Sequence, residues 1–362
     1  MIHMLSIFSS IMSRTAGGIE NTTYYFAKEF ANNNKVNVYL NRTEEIIKGV
    51  GIFETREDNV FARIFKGLRL YRTNKRKGEL CLCLNWRFAV VPYLCNVPYV
   101  VMCHGNDVLD YSSTTIRGVV ENVLRKRIIN KAVHICANSQ FTANYVKLIC
   151  KKDNLTIIHP CSGEPVDFCE HSTKNGFILS IGRLEERKGI QYAIEAFKCI
   201  HQLYPKLKYY IAGDGPYKQV LQKLIHDYGL QEHCLLLGRV SEAEKKRLFK
   251  TCNLFVMPSF YNENVGSVEG FGIVYIEANA HGKPVIGTYS GGIPDAVING
   301  KTGLLVEEKN VKQLVLAMDS ILAGKVSISD AVCKNWAAKH YYPEIVKKYV
   351  TLIEELSKQY RF

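Results

Sequence analysis

The chain has 362 residues, 47% of them hydrophobic, and a formal net charge of +13. This length is sufficient for two domains with separate cores, and the composition fits an ordinary soluble globular protein. The longest apolar stretch, residues 88–103, is interrupted by two prolines and an asparagine, which excludes a membrane-spanning helix there. No basic region precedes the apolar N-terminus, so we expect no signal peptide.

In the first 160 residues, apolar runs typical of strands alternate with helical patterns. The predicted strands are Met4–Phe8, Val36–Leu40, Leu80–Leu84, Tyr99–Cys103 and His134–Ala137. Gly17 and Gly18 follow the first strand and precede a predicted helix from Glu20 to Asn32. His104 follows the fourth strand; a single histidine in such a loop is typically a hydrogen-bonded structural residue.

The positive charge is concentrated in this first half of the chain. Residues 1–160 hold 22 basic and 12 acidic groups, whereas residues 161–362 hold 25 and 22. Seven lysines and arginines lie between positions 60 and 78 without an acid, and apolar residues recur there at roughly helical spacing. Such a helix is typical of a membrane-surface element, or of a solvated helix that packs on the core. The residues alone favour neither the membrane-surface helix nor the solvated helix.

Residues 160–175 are polar and irregular, which is typical of a linker between two domains. Beyond it the predicted strands are Phe177–Ile181, Lys208–Ala212, Cys234–Leu237, Leu254–Met257, Pro284–Thr288 and Gly303–Val306. The predicted helices between them include Gly189–Leu203, Lys218–Tyr228 and Glu242–Thr251. This alternation predicts parallel sheets covered by helices. Ligands of such sheets bind at the carboxyl ends of strands, and a cleft between two domains is the default site.

Twelve cysteines are scattered from Cys81 to Cys333. None forms a Cys-x-x-Cys pair or joins histidines at the spacing of a zinc site, and no Asp-x-Asp pair is present to hold a metal. We therefore expect free, mostly buried thiols in a reducing cytosol.

The segment Glu269–Glu277 carries two carboxylates around Gly270, Phe271 and Gly272. The glycines allow a backbone to come close to a ligand, and the apolar run that follows predicts a helix start with its N–H groups. One carboxylate is thus expected in a loop and the other about one turn into a helix. The alternative is a charge at a helix N-terminus and a surface partner for Lys283.

Other loops also follow predicted strands. Arg183 and Lys188 lie after Phe177–Ile181, a Gly-Asp-Gly-Pro turn lies at 213–216, and Gly-Gly-Ile-Pro-Asp lies at 291–295. Each is weak alone: Arg183 and Lys188 are compatible with surface charges, and the glycines with turns. Their joint position at strand ends favours a ligand site with carboxylates and cations.

Taken together, these motifs resemble the retaining glycosyltransferases of family 4. The Glu-x7-Glu segment, the Gly182-Arg183 and Lys188-Gly189 pairs, and the segments 213–216, 282–286, 291–295 and 300–306 carry the resemblance. It is continuous over about 176–306 and thinner before. The usual linker motif is replaced here by residues 159–167.

The resemblance implies the GT-B fold, an α/β architecture of two Rossmann-like doubly wound domains that face each other across a cleft. It implies an acceptor-binding domain at 1–165, a nucleotide-sugar-binding domain at 166–340, and a last segment, 341–362, that crosses back to the first domain. Family members of this kind transfer a hexose from a UDP- or GDP-linked sugar to a saccharide or lipid-linked acceptor, in polysaccharide or lipopolysaccharide biosynthesis.

The resemblance also assigns roles to residues. Arg183 and Lys188 would bind the donor diphosphate, with Gly182 beside them and backbone N–H groups near Gly17 and Gly18 assisting. Glu269, Gly270 and the amides of Phe271, Gly272 and Ile273 would hold the donor sugar, Glu277 the ribose, and His104 would lie beside sugar and acceptor. Fixed cations stabilise a leaving phosphate without a metal, so no metal or other cofactor is expected.

Relatives of this kind act at the cytosolic membrane surface, which favours a cytoplasmic protein in peripheral contact with anionic membrane through residues 60–78. Two other functions stay open from the sequence. One is a nucleotide-sugar 2-epimerase on the same fold, which needs no acceptor. The other is a non-enzymatic basic protein that binds nucleic acid, although no nucleic-acid motif is recognised and none is expected as a partner.

Overall fold

The computed structural model describes residues 4–13, 19–32, 34–43, 45–75, 78–109, 115–150, 153–162, 176–263 and 266–360. The chain divides into two compact units, one formed by Met1–Gly163 with Tyr342–Phe362 and the other by Glu164–Tyr341. Each unit has its own parallel sheet connected through helices. The predicted α/β class is therefore confirmed.

The first unit is built on a parallel sheet in the order β5-β3-β1-β6-β7-β8-β9. Its described strands are β1 (Met4–Phe8), β2 (Ile11–Met12), β3 (Lys35–Leu40), β4 (Arg42–Thr43), β5 (Val50–Glu54), β6 (Leu80–Cys83), β7 (Tyr99–Cys103), β8 (His134–Ala137) and β9 (Leu155–Ile157). Its helices include α1 (Ile19–Phe30), α2 (Val60–Asn74), α3 (Val90–Leu94), α4 (Ile116–Lys131) and α5 (Gln140–Ile149). Strands β2 and β4 pair separately. The chain runs outward from β1 to β5 and returns as β6, which places a topological switch point between β1 and β6.

The second unit has a parallel sheet in the order β12-β11-β10-β13-β14-β15. The strands are β10 (Phe177–Ile181), β11 (Lys208–Ala212), β12 (Cys234–Gly238), β13 (Leu254–Val256), β14 (Val285–Thr288) and β15 (Gly303–Val306). The helices are α6 (Ile190–Leu203), α7 (Lys218–Asp227), α8 (Glu242–Thr251), α9 (Ile273–Ala280), α10 (Ile293–Ala296), α11 (Val311–Leu322) and α12 (Asp330–Ala338). This is the doubly wound Rossmann order, and its switch point lies between β10 and β13.

The last helix, α13 (Tyr342–Tyr360), packs on α1 of the first unit. The rings of Tyr25 and Tyr342 stack with centroids 4.2 Å apart, and those of Phe26 and Tyr349 lie 4.6 Å apart. Each aromatic pair of this kind contributes about 0.5–1.5 kcal/mol beyond the burial of its surface. These contacts tie the C-terminal helix to the N-terminal part of the chain.

Alternate residues of β1 serve the two faces of the first sheet. Leu5 and Ile7 belong to the core that includes α1 and α13, whereas Phe8 packs with Tyr71 of α2 on the opposite side. This follows from the two-residue period of a strand. Both faces of the first sheet are thus covered by helices, as the near-continuous apolar strands predict.

Two strands of the first sheet, β5 and β9, are not among the predicted ones. Both are edge strands that pair on one side only, and β5 contains Gly51 while β9 exposes Thr156 and Ile157. Edge strands bury less surface, so their sequence lacks a continuous apolar run. Helix α2 ends at Asn74, although the basic segment of the sequence continues to position 78.

Candidate active site

Loop 182–189 leaves β10 at the switch point of the second sheet and is fixed by both neighbouring strand ends. From the loop after β13, the backbone N–H of Phe260 donates to the carbonyl of Arg187 at 2.9 Å. On the other side Gly213 adopts a φ of +138°, and a Cβ there would lie 1.9 Å from the carbonyl oxygen of Gly182. Only glycine allows this approach. The predicted loops 182–189 and 213–216 therefore lie together at the carboxyl end of the second sheet.

Glu269 forms an ion pair with the cations of this loop. Its Oε2 lies 2.5 Å from Nζ of Lys188 and 3.4 Å from an Nη of Arg187. The three side chains are only 13–17% exposed. The structure thus places Glu269 against Lys188, two residues that lie 81 positions apart in the sequence.

Arg183 lies at the solvent side of the same cluster. Its side chain is 71% exposed, and its Nε is 3.2 Å from Glu185. Glu185 in turn accepts from Nε of Arg187 at 3.1 Å. Three cations and two carboxylates therefore alternate, beginning at the exposed Arg183 and ending at the mostly buried pair of Glu269 and Lys188. The formal charges of these five side chains sum to +1. Such a cluster is suited to an anionic ligand that approaches from the Arg183 side.

The ion pairs control the protonation of Glu269. Burial disfavours its charged form, but the charges of Lys188 and Arg187 and their hydrogen bonds outweigh burial and hold the pKa of Glu269 below its ordinary value. Glu269 is accordingly a carboxylate that accepts hydrogen bonds, not a proton donor, at neutral pH.

The segment between the two glutamates turns sharply into α9. Gly272 has a φ of +96°, and a Cβ at this position would lie 2.5 Å from the ring of Tyr275. Phe271 is buried in the core, so only its backbone faces the loop region, and the helix begins at Ile273. Gly272 is the N-cap residue of α9 and has no side chain with which to cap the helix. With Gly270 these residues form a short loop beside Glu269.

Glu277 is the fifth residue of α9 and pairs with a residue of α8. Its Oε1 lies 2.7 Å from Nζ of Lys245, and both side chains are about a quarter exposed. Burial raises the pKa of Glu277 and the charge of Lys245 offsets part of that, while Glu277 raises the pKa of Lys245 against the effect of burial. The carboxylate lies one turn into the helix, as predicted, but the proposed pairing with Lys283 is wrong: its partner is Lys245.

His281, at the end of α9, gives a pH-dependent stability that is open to measurement. Burial and the surrounding lysine charges lower its pKa to about 4. A histidine with a depressed folded-state pKa destabilises the fold as pH falls from its unfolded value, about 6.5, toward 4. We expect the free energy of unfolding to fall by about 2 kcal/mol between pH 7 and pH 5 from this group alone. Urea unfolding should show that loss in the wild type and a smaller one in His281→Gln; equal losses would contradict the assignment.

In the first unit, His104 is held in a hydrogen-bond network after β7. Its backbone N–H donates to Oδ1 of Asp107 at 2.7 Å, and its ring Nε2 lies 2.7 Å from the carbonyl of Leu84, which follows β6. A carbonyl only accepts, so Nε2 carries the proton and Nδ1 of the neutral ring is the acceptor. Burial raises the pKa of Asp107. The neighbours of His104 thus fix the orientation of its ring. A fixed ring is expected both of a structural histidine and of one that lies beside the sugar and the acceptor.

Some predicted residues and features lie elsewhere or outside the described part. Gly17 and Gly18 lie outside the described residues, as do most of the linker and Cys169. The eleven cysteines that the structure describes are free, and nine of them are buried, as expected. Among the described residues, no group of three or more His, Cys, Asp or Glu side chains is arranged to hold a metal ion. Within the same residues, no helix is both long and apolar enough to cross a bilayer.

Sequence reasoning missed Arg187 and Lys245. Arg187 lies within the predicted ligand loop, and its position before Lys188 was the available signal. Lys245 lies on α8, 32 positions before Glu277, and its contact arises only from the packing of α8 beside α9. No local pattern identifies such a partner.

Residues 168–340 match the family described as glycosyl transferases group 1. This matched segment covers 173 of the 362 residues, just under half of the chain. It contains the cluster around Glu269 as well as Glu277 and Lys245. Over 166 residues the chain is 31% identical to a GDP-mannose-dependent alpha-(1-6)-phosphatidylinositol monomannoside mannosyltransferase of Mycolicibacterium smegmatis, covering 45% of this chain and 44% of that protein. Over 137 residues it is 34% identical to the putative colanic acid biosynthesis glycosyltransferase WcaL of Escherichia coli, covering 38% and 34%.

Solved glycosyltransferase structures resemble both units of the chain. The sucrose-phosphate synthase of Thermosynechococcus elongatus superposes with a TM-score of 0.79 at 19% identity, covering 99% of this chain and all of that one. HepE of Anabaena, in complex with UDP and glucose, gives a TM-score of 0.74 at 18% identity over 98% of this chain and all of that one. At these identities the likeness shows the GT-B fold alone. The chain spans less than half the length of these two curated relatives.

Proposed function

We propose that the chain is a retaining glycosyltransferase that moves a hexose from a nucleotide sugar to a saccharide or lipid-linked acceptor. The observation that carries the proposal is the cluster of Arg183, Arg187 and Lys188 with Glu185 and Glu269, at the switch point of the segment that matches group 1 glycosyl transferases. Switch points of this fold bind nucleotides, and the cluster has a positive charge in excess where a diphosphate would lie.

The cations supply the main catalytic effect in this proposal. As the bond between the sugar C1 and the phosphate oxygen breaks, its electron pair passes to the departing diphosphate. Lys188 stabilises that charge from a fixed and mostly buried position, and Arg183 stabilises it from the solvent side. Lys188 has three N–H donors, so it donates to Glu269 and to a phosphate oxygen at once. No metal is required for this step, and we propose that transfer is metal-independent.

The two glutamates hold different parts of the donor. Glu269 is kept ionised by Lys188 and Arg187, so it accepts from the sugar hydroxyls, while the nearby backbone N–H groups of Phe271 and Gly272 donate to sugar oxygens. Glu277 has one oxygen engaged by Lys245, and its second oxygen is proposed to accept from the ribose diol. Lys245 is then a positioning residue that fixes the Glu277 carboxylate.

The acceptor hydroxyl attacks C1 from the face that the phosphate leaves, which retains the configuration. The new C–O bond forms as the old one breaks, and the hydroxyl proton passes to an oxygen of the departing phosphate. This accounts for both bonds and for the proton without a carboxylate nucleophile. His104, whose Nε2–H is engaged by Leu84, is proposed to orient the sugar or the acceptor through Nδ1.

The names of the relatives favour a role in glycolipid or polysaccharide synthesis without fixing the donor. One matched relative uses GDP-mannose, and a solved structure of the same fold holds UDP. We therefore propose a cell-surface glycan as the product and a UDP- or GDP-linked hexose as the donor, with a cytoplasmic location.

Product analysis tests the proposed function. The purified chain is incubated with UDP- and GDP-hexoses, with and without a crude lipid-linked saccharide fraction, and the released nucleotide and labelled sugar are followed. Transfer of label that depends on acceptor, continues in EDTA and retains the anomeric configuration supports the proposal. Conversion of the donor to its 2-epimer without acceptor would replace it by the epimerase alternative.

We further propose that α2 contacts an anionic membrane. The apolar residues of this helix divide in two: Ile64, Leu68 and Tyr71 pack against the core, whereas Phe61 and Phe65 are 83% and 74% exposed. Arg69 and Arg72 are exposed on the same helix, and Lys75 is exposed directly after its end. Exposed aromatic and basic side chains on one helix are typical of interfacial binding.

The membrane contact predicts a specific loss on substitution. Phe61→Ser with Phe65→Ser should reduce co-sedimentation with phosphatidylglycerol vesicles about tenfold or more, since two large apolar groups no longer insert. Leu316→Ser, which changes a 59% exposed residue of the second unit, is the matched control and should bind as the wild type does. Equal binding by all three proteins would contradict the contact.

A further inference from the structure

A small cavity of about 210 Å³ lies in the first unit beside the start of α4. Its lining includes Trp86, Arg87, Thr115, Arg117, Glu121 and Arg125. Pockets for drug-sized ligands are about 300–1,000 Å³, so this one is suited to a single substituent rather than to a whole nucleotide sugar. None of these residues has a role in the site of the second unit.

Trp86, which lines this cavity, carries a buried donor on its indole ring. The residue is 3% exposed, and its Nε1 has no hydrogen-bond partner among the residues that the structure describes. Burial of an unsatisfied donor is unfavourable, so native proteins seldom retain one without a use. The cavity therefore favours a ligand that accepts a hydrogen bond.

The charges around Trp86 favour an anionic ligand. The guanidinium of Arg87 lies 4.7 Å from the Trp86 ring centroid, and Arg117 and Arg125 line the same space. Thr115 caps α4 by accepting from the N–H of Gly118, so the positive end of this 16-residue helix is at the cavity. Glu121 is the one acid in the lining and pairs with Arg87 at 2.5 Å. Arginines therefore outnumber acids among the described residues that line the cavity.

We propose that this cavity binds a phosphate group carried by the acceptor. Its position supports an acceptor role, which itself rests on the proposed function: Asn85, next to Trp86, donates to Asp107 at 2.9 Å, and Asp107 holds the backbone of His104. A phosphate offers several acceptor oxygens for the arginine forks and the indole N–H. Ile116, Val119 and Val120 of α4 are exposed beside Arg117, which suits a phosphate attached to a lipid.

Fluorescence tests the site directly. The chain has two tryptophans, so the Trp336→Phe variant retains Trp86 as its single tryptophan. This variant is titrated with sodium phosphate at constant ionic strength. We expect a saturable change in emission. Arg117→Gln should weaken binding about tenfold, the loss of one charge-assisted hydrogen bond. Glu121→Gln should tighten it several-fold, because Arg87 is released. Arg127→Gln, an exposed arginine of α4 outside the cavity lining, is the control and should not change it.

The source of the phosphate is distinguished by a second arm with phosphatidylglycerol vesicles and phosphatidylcholine vesicles. A Trp86 response to both free phosphate and phosphatidylglycerol indicates a lipid-borne group, and a response to free phosphate alone indicates a soluble one. Calorimetric titration of the wild-type chain repeats the measurement without the Trp336 substitution. The absence of saturable binding, or equal weakening by Arg117→Gln and Arg127→Gln, would overturn the proposal. These assays involve no donor, so a failed transferase assay and a failed phosphate site remain separate results.

Discussion

Replacing Lys188 by alanine is expected to lower kcat about 10²–10³-fold, which is the usual loss when one fixed stabiliser of transition-state charge is removed. Lys188 is 13% exposed and is held 2.5 Å from Glu269, so it is preorganised before any donor binds. The fold should survive, because Glu269 keeps Arg187 as an ion-pair partner. Initial-rate kinetics with saturating donor, together with thermal unfolding, measure the two effects separately.

A matched control exists within the same unit. Lys325 also forms an ion pair of 2.5 Å, with Asp319, but its side chain is 65% exposed and lies outside the cluster. Lys325→Ala should leave kcat within about twofold, since exposed pairs contribute only about 0–1 kcal/mol. A folded Lys188→Ala variant with a nearly normal rate would remove Lys188 from the catalytic step.

Replacing each glutamate by glutamine should affect different kinetic parameters. Glu269→Gln should lower kcat by about 10²-fold or more, because it removes the carboxylate that orients Lys188 and the donor sugar. Glu277→Gln should mainly raise the donor KM, by about tenfold, since ribose binding contributes to ground state and transition state alike. Steady-state kinetics with varied donor measure both.

Lys245→Met provides the control for this division. Without the Lys245 ammonium, Glu277 loses its fixed orientation. Burial then raises the pKa of Glu277 without an opposing charge. This variant should therefore resemble Glu277→Gln and not Glu269→Gln. Equal effects of the two glutamine substitutions on kcat and KM would show that both carboxylates serve the same step.

The fold was predictable from the sequence because most strands are buried on both faces. The runs Met4–Phe8 and Phe177–Ile181 are fully buried and give continuous apolar signals. The edge strands β5 and β9 have a weaker signal, and the sequence did not reveal them. The apolar residues of α2 recur at helical spacing, but that periodicity cannot tell that Tyr71 is buried while Phe65 is exposed. That difference depends on which neighbours cover the helix.

The sequence predicted which loops lie at the site, but not which side chains pair there. Glycine turns that follow predicted strands mark the carboxyl ends of those strands. In a parallel sheet these ends lie at the same edge, where ligands bind. The pairing of Glu269 with Lys188 was not predicted, because 81 positions separate them. Lys245, the tautomer of His104 and the cavity beside Trp86 likewise depend on packing between distant elements. Only the three-dimensional structure identifies these features.

The cluster around Lys188 is proposed to bind the diphosphate of a nucleotide sugar. Calorimetric titration of the wild type and of Lys188→Ala with UDP, GDP, the corresponding monophosphates and the nucleosides tests it most directly. We predict that one diphosphate binds more tightly than its monophosphate and nucleoside, and that Lys188→Ala weakens the diphosphate about tenfold or more while leaving the nucleoside unchanged. Equal affinity of the two proteins for that diphosphate, or no binding of any nucleotide, would contradict the account.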